Sequence, residues 1–403
     1  MKCLGCESKD LKKIFDLGNI PPVNSFLEPE RSHLEEKFPL SMVLCRACSL
    51  MQLEHVVDPD ILFKHYQHLS SASNSNIKHL LDVANILKKN QKGLDKNKLL
   101  EVGSNDGTLL RHVAAQGFEA LGVDPAVNLA EMGNVDGVKT ITRFWSSEVS
   151  KEIISSYGLF DFVVGLNVFA HSPNFVDMLT GVANVLSDDG LAVFEFAYVF
   201  DTLMTGCFDT TYHEHVSCFS LTAFDMALTK AGLKGVKVEK IPTQGGSLRV
   251  YAVKNGDVSD CYKDLLAHEK SQEVFEPETY NIVSDNVNYI KENLPKLLEE
   301  LKNKHGKIIG LGAPARGVVL ANACNLDSNL LKYVIDDTTL KVNRFVPGSD
   351  VLVKNWNELE KDKAEVFLLF SWNYYDEILK KLKKYVESGY IVVPFPKLEL
   401  RSF

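Results

Sequence analysis

Short apolar runs alternate along much of the chain with longer segments in which apolar residues recur every three or four positions. The runs at 98–102, 120–123, 160–166 and 191–196 predict buried strands, and the periodic segments between them predict helices. Two further strands flank the turn at 243–246 and predict an antiparallel hairpin at the edge of the sheet. Because strands alternate with helices, we expect an α/β fold whose central sheet is mostly parallel.

The same pattern returns on a smaller scale towards the C-terminus. After a long charged helix at 276–304, strands are predicted at 332–335, 366–369 and 390–393, with helical patterns between them. These elements predict a second, shorter Rossmann-like α/β sheet. The chain is therefore expected to comprise an N-terminal module, a central α/β domain, a helical connector and a C-terminal domain, at residues 1–56, 57–258, 259–304 and 305–403.

Composition narrows the class of protein. The length of 403 residues is too great for one core, and an apolar fraction of 45% with 24% charged residues is ordinary for a globular protein. A net charge of −9 argues against a protein whose main role is to bind nucleic acid. No apolar run approaches the length of a membrane span, and the first residues do not resemble a signal peptide. We expect a cytoplasmic protein without a membrane partner, and the sequence leaves the oligomeric state open.

Two cysteine pairs of the form C-x2-C mark the N-terminal module, Cys3 with Cys6 and Cys45 with Cys48. Each pair places two thiolates on one tight turn, and two such turns complete a tetrahedral shell of four sulfurs for zinc. Four buried cysteines or a redox pair is the alternative. A closed shell leaves no position for chemistry, so the predicted zinc is structural.

A glycine-containing turn follows the first strand of the central domain, with the pattern Glu101-x-Gly103-x-x-x-Gly107. Glycines let the backbone pass close to a ligand at the carboxyl end of a strand, where open α/β sheets bind ligands. Asp124 ends the next strand, where a carboxylate can accept hydrogen bonds from both hydroxyls of a ribose. This combination resembles the class I S-adenosylmethionine-dependent methyltransferases, and an ordinary βα turn is the alternative. Further candidates for binding the methyl donor at this rim are Asn105 and Asn167.

A second glycine-rich turn opens the C-terminal domain. Gly310-x-Gly312-x-x-Ala315 matches the dinucleotide fingerprint, and Asp336 ends the following strand, where a ribose-binding acid belongs. Arg316 stands beside the predicted helix N-terminus, a position that suits a pyrophosphate. Taken alone the pattern indicates NAD, and a Rossmann-like fold used for another nucleotide, or for none, is the alternative.

Tyr212, His213, Glu214 and His215 place a phenol, two imidazoles and a carboxylate in consecutive positions. Titratable side chains are rarely buried without partners, so this cluster indicates chemistry in which a proton moves. In an extended strand Tyr212 and Glu214 would face one side and the two histidines the other. A turn or bulge is needed to bring Tyr212, Glu214 and His215 into one pocket, so we predict irregular backbone there and a structural role for His213.

The order of these motifs resembles the bacterial nucleotide-sugar C-methyltransferases. The resemblance covers essentially the whole chain and rests on CxxC…CxxC, EVGSNDG, NVFAHSPN, TYHEHV, GGSLRV, GLGAPARG and RFVPGSD. It implies a zinc domain, a methyltransferase domain that uses S-adenosylmethionine, and a C-terminal Rossmann-like domain that helps to bind a nucleotide-diphospho-sugar rather than NAD. The implied reaction methylates a carbon, typically C-3, of a 4-keto-6-deoxyhexose in branched deoxysugar biosynthesis.

The resemblance also implies roles for individual residues. His215 matches the family's base, with Tyr212 and Glu214 as its neighbours in the pocket. His171 matches a second active-site histidine, and Tyr66 matches a tyrosine that reaches in from the N-terminal side. A C–H bond next to a ketone is acidic enough to ionise when a base titrates near neutrality, and imidazole is the usual choice. The sequence leaves open whether His215 or His171 is the base.

Three positions depart from the family pattern. Gln244 stands before GGSLR where histidine is expected, Cys218 follows the cluster where an aromatic is common, and Arg316 replaces a frequent lysine. These departures leave the sugar and the nucleotide open. The main alternative is an O- or N-methyltransferase of a nucleotide sugar or another small metabolite. A zinc-ribbon binding protein is disfavoured by the intact donor-binding pattern, and a dehydrogenase by the lack of a Tyr-x-x-x-Lys or comparable hydride-transfer set.

Overall fold

The structure is a computed structural model and describes residues 1–63, 69–91, 97–134 and 138–403. The N-terminal part is a small antiparallel sheet followed by a short helix. Its elements are β1 (Leu11–Ile20), β2 (Phe38–Cys45), β3 (Met51–Leu53) and α1 (Pro59–Phe63).

The central part alternates strands and helices, as the apolar pattern predicts. Serines cap several helices here; for example, the Ser146 hydroxyl accepts a hydrogen bond from the backbone N–H of Val149. The elements are α2 (Asn74–Lys89), β4 (Lys98–Val102), α3 (Thr108–Ala115), β5 (Glu119–Val123), α4 (Val127–Gly133), β6 (Lys139–Ile141), α5 (Ser147–Tyr157), β7 (Phe160–Leu166), α6 (Phe175–Val185), β8 (Leu186–Ala197), β9 (Ser217–Cys218), α7 (Leu221–Lys230), β10 (Lys234–Ile241) and β11 (Ser247–Val253).

The C-terminal part begins with two helices and continues as a second α/β unit. Its elements are α8 (Asp260–Ser271), α9 (Asn281–His305), β12 (Ile308–Leu311), α10 (Ala315–Ala323), β13 (Tyr333–Ile335), β14 (Val353–Lys354), β15 (Val366–Leu369), α11 (Tyr375–Leu382), β16 (Tyr390–Val393) and β17 (Glu399–Ser402). None of the helices in the described part of the chain combines the length and apolarity needed to cross a bilayer.

The central sheet has the strand order β10-β11-β8-β7-β4-β5-β6. The strands from β8 to β6 pair in parallel, and β11 runs antiparallel to both β8 and β10. Alternate side chains pack on opposite faces: Leu99 joins the apolar cluster under α2 and α3, whereas Leu100 joins the cluster under α5, α6 and α7. Helices therefore cover both faces, and the order of connections reverses at β4, where such sheets bind ligands. The topology confirms the predicted class I methyltransferase fold and its closing hairpin.

The N-terminal sheet has the order β1-β2-β3-β9, so its last strand comes from the central part of the chain. Met51 pairs with Cys218 and Gln52 with Ser217 in antiparallel register. Ser217 and Cys218 follow the Tyr-His-Glu-His cluster in the chain, so this pairing places the cluster beside the N-terminal module. The longer segment between the cysteine pairs forms β1 and β2, as expected for a subdomain larger than a zinc ribbon.

The C-terminal sheet has the order β14-β13-β12-β15-β16-β17, parallel except for β17. This confirms the predicted Rossmann-like unit. The predicted connector helix begins later than expected, at Asn281, and one of its faces is buried, with Val283, Ile290 and Leu298 at 0% exposure. These residues belong to the same apolar cluster as the N-terminal and central cores, so α9 is a core element and not only a linker. The four domain boundaries stay predictions.

Candidate active site

One cavity of about 800 Å³ extends along the carboxyl ends of the central strands and reaches both flanking parts of the chain. Ten of the residues predicted from the sequence line it: Glu101, Gly103, Asn105, Asp124, Asn167, His171, Tyr212, Glu214, His215 and Arg316. Asn24 reaches it from the N-terminal module and Lys341 from the C-terminal domain. The cavity therefore brings together the predicted donor turn, the histidine cluster and part of the predicted nucleotide site.

The turn after β4 is shaped by residues with positive φ. Gly103 and Gly107 both have φ of 73°, and Asn105 has φ of 51°. A Cβ atom on Gly103 would lie 2.7 Å from Cγ2 of Val168, and one on Gly107 would lie 3.0 Å from Cα of Gly133. Gly103 thus keeps the cavity wall open, whereas Gly107, which is not among the lining residues, allows α4 to approach the turn.

Two carboxyl groups stand at the strand ends beside this turn. Asp124 accepts hydrogen bonds from the backbone N–H groups of Asn105 at 2.8 Å and Ala126 at 2.9 Å, so it also fixes the turn itself. Glu101 is buried at 5% exposure, and its Oε2 has no hydrogen-bond partner among the described residues. Burial raises the pKa of both groups, and the nearby Asp124 carboxylate raises that of Glu101 further. The Glu101 oxygen can accept a hydrogen bond from a ligand hydroxyl, and the wall at Gly103 leaves room for that ligand. Both features fit the ribose of S-adenosylmethionine.

The backbone turns at the histidine cluster, as predicted. The N–H of His215 donates to the carbonyl of Tyr212 at 2.8 Å, which brings both side chains to the same side. The Tyr212 hydroxyl lies 2.7 Å from Nε2 of His215, and Nδ1 of His215 lies 2.8 Å from the carbonyl oxygen of Thr210. Because a carbonyl oxygen only accepts, Nδ1 carries the proton, and Nε2 of the neutral ring accepts from the phenol. The structure thus assigns one tautomer to His215.

The electrostatics of the cluster favour neutral groups. Burial lowers the pKa of His215 to about 4; the Thr210 carbonyl opposes this shift, and the positive charge of Arg316 adds to it. Burial also raises the pKa of the Tyr212 phenol. At neutral pH, His215 is therefore an uncharged imidazole whose Nε2 lone pair faces a phenol.

His171 lies on the turn after β7, within a short 3-10 segment at Phe169–His171. Its ring stacks on that of His215, with centroids 5.3 Å apart and an angle of 22°, and on that of Phe63 at 5.7 Å and 11°. Tyr66, the remaining predicted catalytic residue, lies outside the residues that the structure describes, so its role stays a prediction.

Glu214 and His213 point to different surroundings. Glu214 is 3% exposed, and its Oε1 accepts a hydrogen bond of 2.5 Å from the Asn24 amide. His213 is buried beside Phe38, with its Nε2 3.3 Å from the Phe38 carbonyl, and it is not among the residues that line the cavity. This placement agrees with the predicted structural role of His213. Sequence reasoning missed Asn24, because no local pattern links it to a residue so far along the chain.

Arg316 enters the cavity from the first turn of α10. Its Nη2 donates to Oδ1 of Asp209 at 3.0 Å, and its guanidinium lies over the ring of Trp372, 4.7 Å from the centroid. The Trp372 Nε1–H donates to the other oxygen of Asp209 at 2.7 Å. Asp209, a residue that the motifs did not indicate, therefore ties the central domain to the C-terminal domain and orients Arg316.

The other two predicted residues of the C-terminal turn support its shape. A Cβ atom on Gly312, which has φ of 84°, would lie 2.0 Å from the Ser371 hydroxyl oxygen. Asp336 accepts hydrogen bonds from the backbone N–H groups of Ala313 at 2.7 Å and Thr338 at 2.8 Å. Neither Gly312 nor Asp336 is among the residues that line the cavity. Sequence reasoning missed Lys341, which does line it.

The donor side contains a further buried network that the sequence did not indicate. Nε2 of His79 lies 2.6 Å from one oxygen of Glu195, whose other oxygen accepts from Nε of Arg249 at 2.6 Å. Asn167, with φ of 55°, donates its backbone N–H to the Glu195 carbonyl at 2.8 Å. This network therefore shapes the wall at which Asn167 and His79 meet the cavity.

The four predicted zinc ligands converge in the N-terminal module. The sulfur atoms of Cys3, Cys6, Cys45 and Cys48 all lie within 4.8 Å of one another, and the Cys3–Cys48 and Cys6–Cys45 sulfur distances are 3.5 Å. Tetrahedral zinc with Zn–S bonds of about 2.3 Å requires sulfurs at about this separation. The hydrogen bond from the Cys48 thiol lowers the pKa of Cys3 to about 5, whereas burial and the neighbouring sulfurs raise the pKa values of Cys45 and Cys48. A metal ion would be needed to hold all four sulfurs as thiolates. The donor set therefore fits zinc.

Comparisons with known proteins agree with this architecture. Models of domain families match as a "Putative zinc binding domain" at residues 3–63, a "Methyltransferase domain" at residues 79–238 and a "C-methyltransferase C-terminal domain" at residues 242–396. The fold and the donor turn thus define a class I S-adenosylmethionine-dependent methyltransferase that carries a zinc-binding module.

More particularly, the chain is 33% identical to C-methyltransferase NovU from Streptomyces niveus over 401 residues, which cover 98% of this chain and 96% of that relative. The chain belongs to the C-methyltransferase family and is an enzyme that uses S-adenosylmethionine to methylate carbon. Among solved structures, it is similar to the PH0226 protein of Pyrococcus horikoshii OT3 (15% identity, 50% of this chain and 100% of that chain, TM-score 0.37). It is also similar to magnesium protoporphyrin IX methyltransferase from Synechocystis PCC 6803 with bound SAM (14%, 45% and 79%, TM-score 0.33).

Proposed function

We propose that this enzyme methylates a carbon, C-3, of a nucleoside-diphosphate-linked 4-keto-6-deoxy sugar, and that the reaction passes through an enolate. The observation that carries the proposal is the Tyr212–His215 pair. It places a neutral imidazole of fixed tautomer in the same cavity as the donor turn and Arg316.

The first chemical requirement is the removal of a proton from the carbon next to the ketone. Nε2 of His215 is the atom that takes up a proton, and the Thr210 carbonyl keeps the proton of Nδ1 in place while the ring becomes positively charged. Burial and the charge of Arg316 hold the pKa of His215 at about 4, and the negative phosphates of an acceptor bound at Arg316 would offset that charge and make the ring a stronger base. Because the Tyr212 hydroxyl donates to Nε2, there are two routes. Either the phenol turns away towards the acceptor and Nε2 takes the C-3 proton directly, or the phenol gives its own proton to Nε2 and takes the C-3 proton in its place. In both routes the C–H electron pair moves onto the carbonyl oxygen, which becomes the enolate oxygen.

The second requirement is stabilisation of that oxygen and orientation of the sugar. The Tyr212 hydroxyl and the His171 ring are donors at the cavity wall, and preorganised donors at a developing oxyanion contribute strongly to such reactions. Glu214, held by Asn24, is the acceptor for a sugar hydroxyl. S-adenosylmethionine, when bound at Gly103 and Asp124, supplies an electrophilic methyl group for the carbanion.

The third requirement is recognition of the nucleotide diphosphate. Arg316 is oriented by Asp209 and stands at the helix N-terminus of α10, where anions bind favourably. Lys341 adds a second cation to the same wall, with its Nζ 2.9 Å from the Ala313 carbonyl. The C-terminal domain would therefore hold the acceptor's phosphates and not NAD.

The test supplies S-adenosylmethionine and a panel of thymidine, uridine, guanosine and cytidine diphosphate 4-keto-6-deoxyhexoses, and identifies the product by NMR. We expect a new methyl group on carbon. With S-adenosylhomocysteine in its place, in heavy water, we expect exchange of the C-3 proton for deuterium. His215→Ala should lose both exchange and methyl transfer while it still binds both ligands, and His268→Ala, a change of an exposed histidine, should keep both.

Two results would contradict the proposal. A methyl ether or methylamine without solvent exchange would favour the O- or N-methyltransferase. Hydride transfer to NAD would assign the C-terminal fingerprint to a dinucleotide. Tyr212→Phe separates the two proton routes, because it should keep partial activity if His215 acts directly and should lose exchange if the phenol passes the proton on.

A further inference from the structure

We propose that Asn24, which the zinc-binding module supplies, is a positioning residue of the active site and holds Glu214 in the orientation that binds the acceptor. This inference rests on the proposed function, which gives Glu214 contact with the acceptor. The zinc-binding module would then contribute directly to the geometry of the site.

The contact between the two side chains is short and lies at the cavity. Nδ2 of Asn24 donates to Oε1 of Glu214 at 2.5 Å, and both residues line the cavity. Glu214 is 3% exposed, and a buried carboxyl group needs hydrogen-bond partners to offset its loss of water. An amide supplies such a partner without neutralising the charge, so Asn24 can fix the carboxylate plane and leave Glu214 an acceptor for substrate.

The segment that carries Asn24 is itself held firmly. Both the N–H and the hydroxyl of Ser25 donate to the Pro22 carbonyl, at 3.0 and 2.6 Å, and close a turn around Asn24. On either side of Asn24, Val23 is 1% exposed and Phe26 is 4% exposed, and both belong to the large apolar core. The amide therefore projects from a rigid turn, as a positioning residue requires.

The same module also fixes the backbone that follows the histidine cluster. The N–H of Leu53 donates to the Val216 carbonyl at 2.9 Å, and β3 pairs with β9 through the register of Met51 with Cys218. Strand β3 follows the second pair of cysteines, and the N–H of Cys45 donates to the Leu50 carbonyl at 2.9 Å, which joins the cysteine turn to the start of β3. The module thus holds Glu214 through its side chain and the cluster through its backbone.

The experiment is a double-mutant cycle of Asn24→Ala and Glu214→Gln. It is read as kcat and KM for the acceptor that the NMR assay identifies, with the affinity for S-adenosylhomocysteine measured in parallel. We expect Asn24→Ala to reduce kcat/KM for the acceptor about tenfold or more, because a hydrogen bond to a charged group is lost. The affinity for S-adenosylhomocysteine should stay unchanged. The double variant should be no worse than Glu214→Gln alone, because Asn24 acts through Glu214.

Asn24→Asp tests the same contact with almost no change of shape. Two carboxylates would then face each other, so the loss should exceed that of Asn24→Ala and should grow as the pH rises. The melting temperature and the affinity for S-adenosylhomocysteine show whether the variant is folded, so a loss of turnover with both unchanged is not a folding defect. Asn19→Ala, an exposed asparagine on β1 of the same module, is the matched control and should leave the kinetics unchanged.

The outcomes are distinct. Normal turnover in Glu214→Gln would overturn the assigned role of Glu214 and this inference with it. A defect in Glu214→Gln that is independent of, or additive with, the effect of Asn24→Ala would overturn the inference alone. Wild-type kinetics for Asn24→Asp at all pH values would also overturn it.

Discussion

Lowering the pH should leave His215 uncharged until about pH 4, well below the point at which an ordinary histidine becomes protonated. Burial and the positive charge of Arg316 hold the ring in this state, against the opposing effect of the Thr210 carbonyl. The hydrogen bonds fix the tautomer, because Nδ1–H donates to the Thr210 carbonyl and Nε2 accepts from the Tyr212 hydroxyl. Protonation would place an N–H at Nε2 opposite the Tyr212 hydroxyl, which now donates to that atom. It would also add a positive charge near Arg316 in a buried site.

The magnitude follows from the pKa. A fall from 6.5 to about 4 corresponds to roughly 3 to 4 kcal/mol in favour of the neutral ring, at about 1.36 kcal/mol per pH unit. Between pH 4 and 6.5 the unfolded chain binds a proton at His215 that the folded chain does not bind. The stability due to this group therefore rises with pH across that window, is complete above 6.5 and is lost as the pH falls towards 4.

The assay is NMR of protein labelled with ¹⁵N-histidine, titrated from pH 7.5 downwards. The chain contains 11 histidines, and the resonances of His215 are those that disappear in His215→Gln. We expect a neutral ring protonated at Nδ1 and a midpoint near pH 4. Arg316→Met should raise the midpoint, because it removes the nearby positive charge. A midpoint between pH 6 and 7, or a neutral ring protonated at Nε2, would refute the reasoning.

Three further predictions concern other parts of the molecule. Cys45→Ser should lose the one bound zinc per chain in metal analysis and should have a lower melting temperature. Its affinity for S-adenosylhomocysteine should be unchanged, and a loss of donor binding would contradict a purely structural zinc. Gly103→Ala should weaken S-adenosylhomocysteine binding in calorimetry, because its Cβ would strike Val168 in the cavity wall. Gly117→Ala, whose Cβ would have no heavy atom within 4 Å, should leave the affinity unchanged. Equal affinities of the two variants would place the donor elsewhere. Asp209→Asn should reduce the free energy of unfolding by about 3 kcal/mol in urea titrations, because the Asp209 carboxylate is buried and pairs with a half-buried Arg316. A loss below about 1 kcal/mol would show that water screens the pair.

Much of the architecture could be predicted because it depends on short-range patterns. The spacing of two C-x2-C pairs identifies the zinc ligands, since each pair must sit on one turn whatever surrounds it. The alternation of apolar runs with helical periods determines the parallel sheets, because burial on both faces requires continuous apolar strands. The crowding of Tyr212, Glu214 and His215 likewise predicts a turn, because an extended strand would separate them. The sequence alone therefore indicates the fold and most of the candidate site.

Only the tertiary structure decided which distant groups hold those residues. Asn24 meets Glu214 because β9 joins the N-terminal sheet, and no periodic pattern in the chain records that pairing. Asp209 orients Arg316 across two domains, and the Thr210 carbonyl selects the tautomer of His215. Hydrogen bonds of this kind depend on distances of a few tenths of an ångström between segments remote in sequence, whereas sequence patterns report which face of a local element is buried. The sequence thus determines which reactive side chains are present, and the packing of the three sheets and α9 determines how those side chains are oriented.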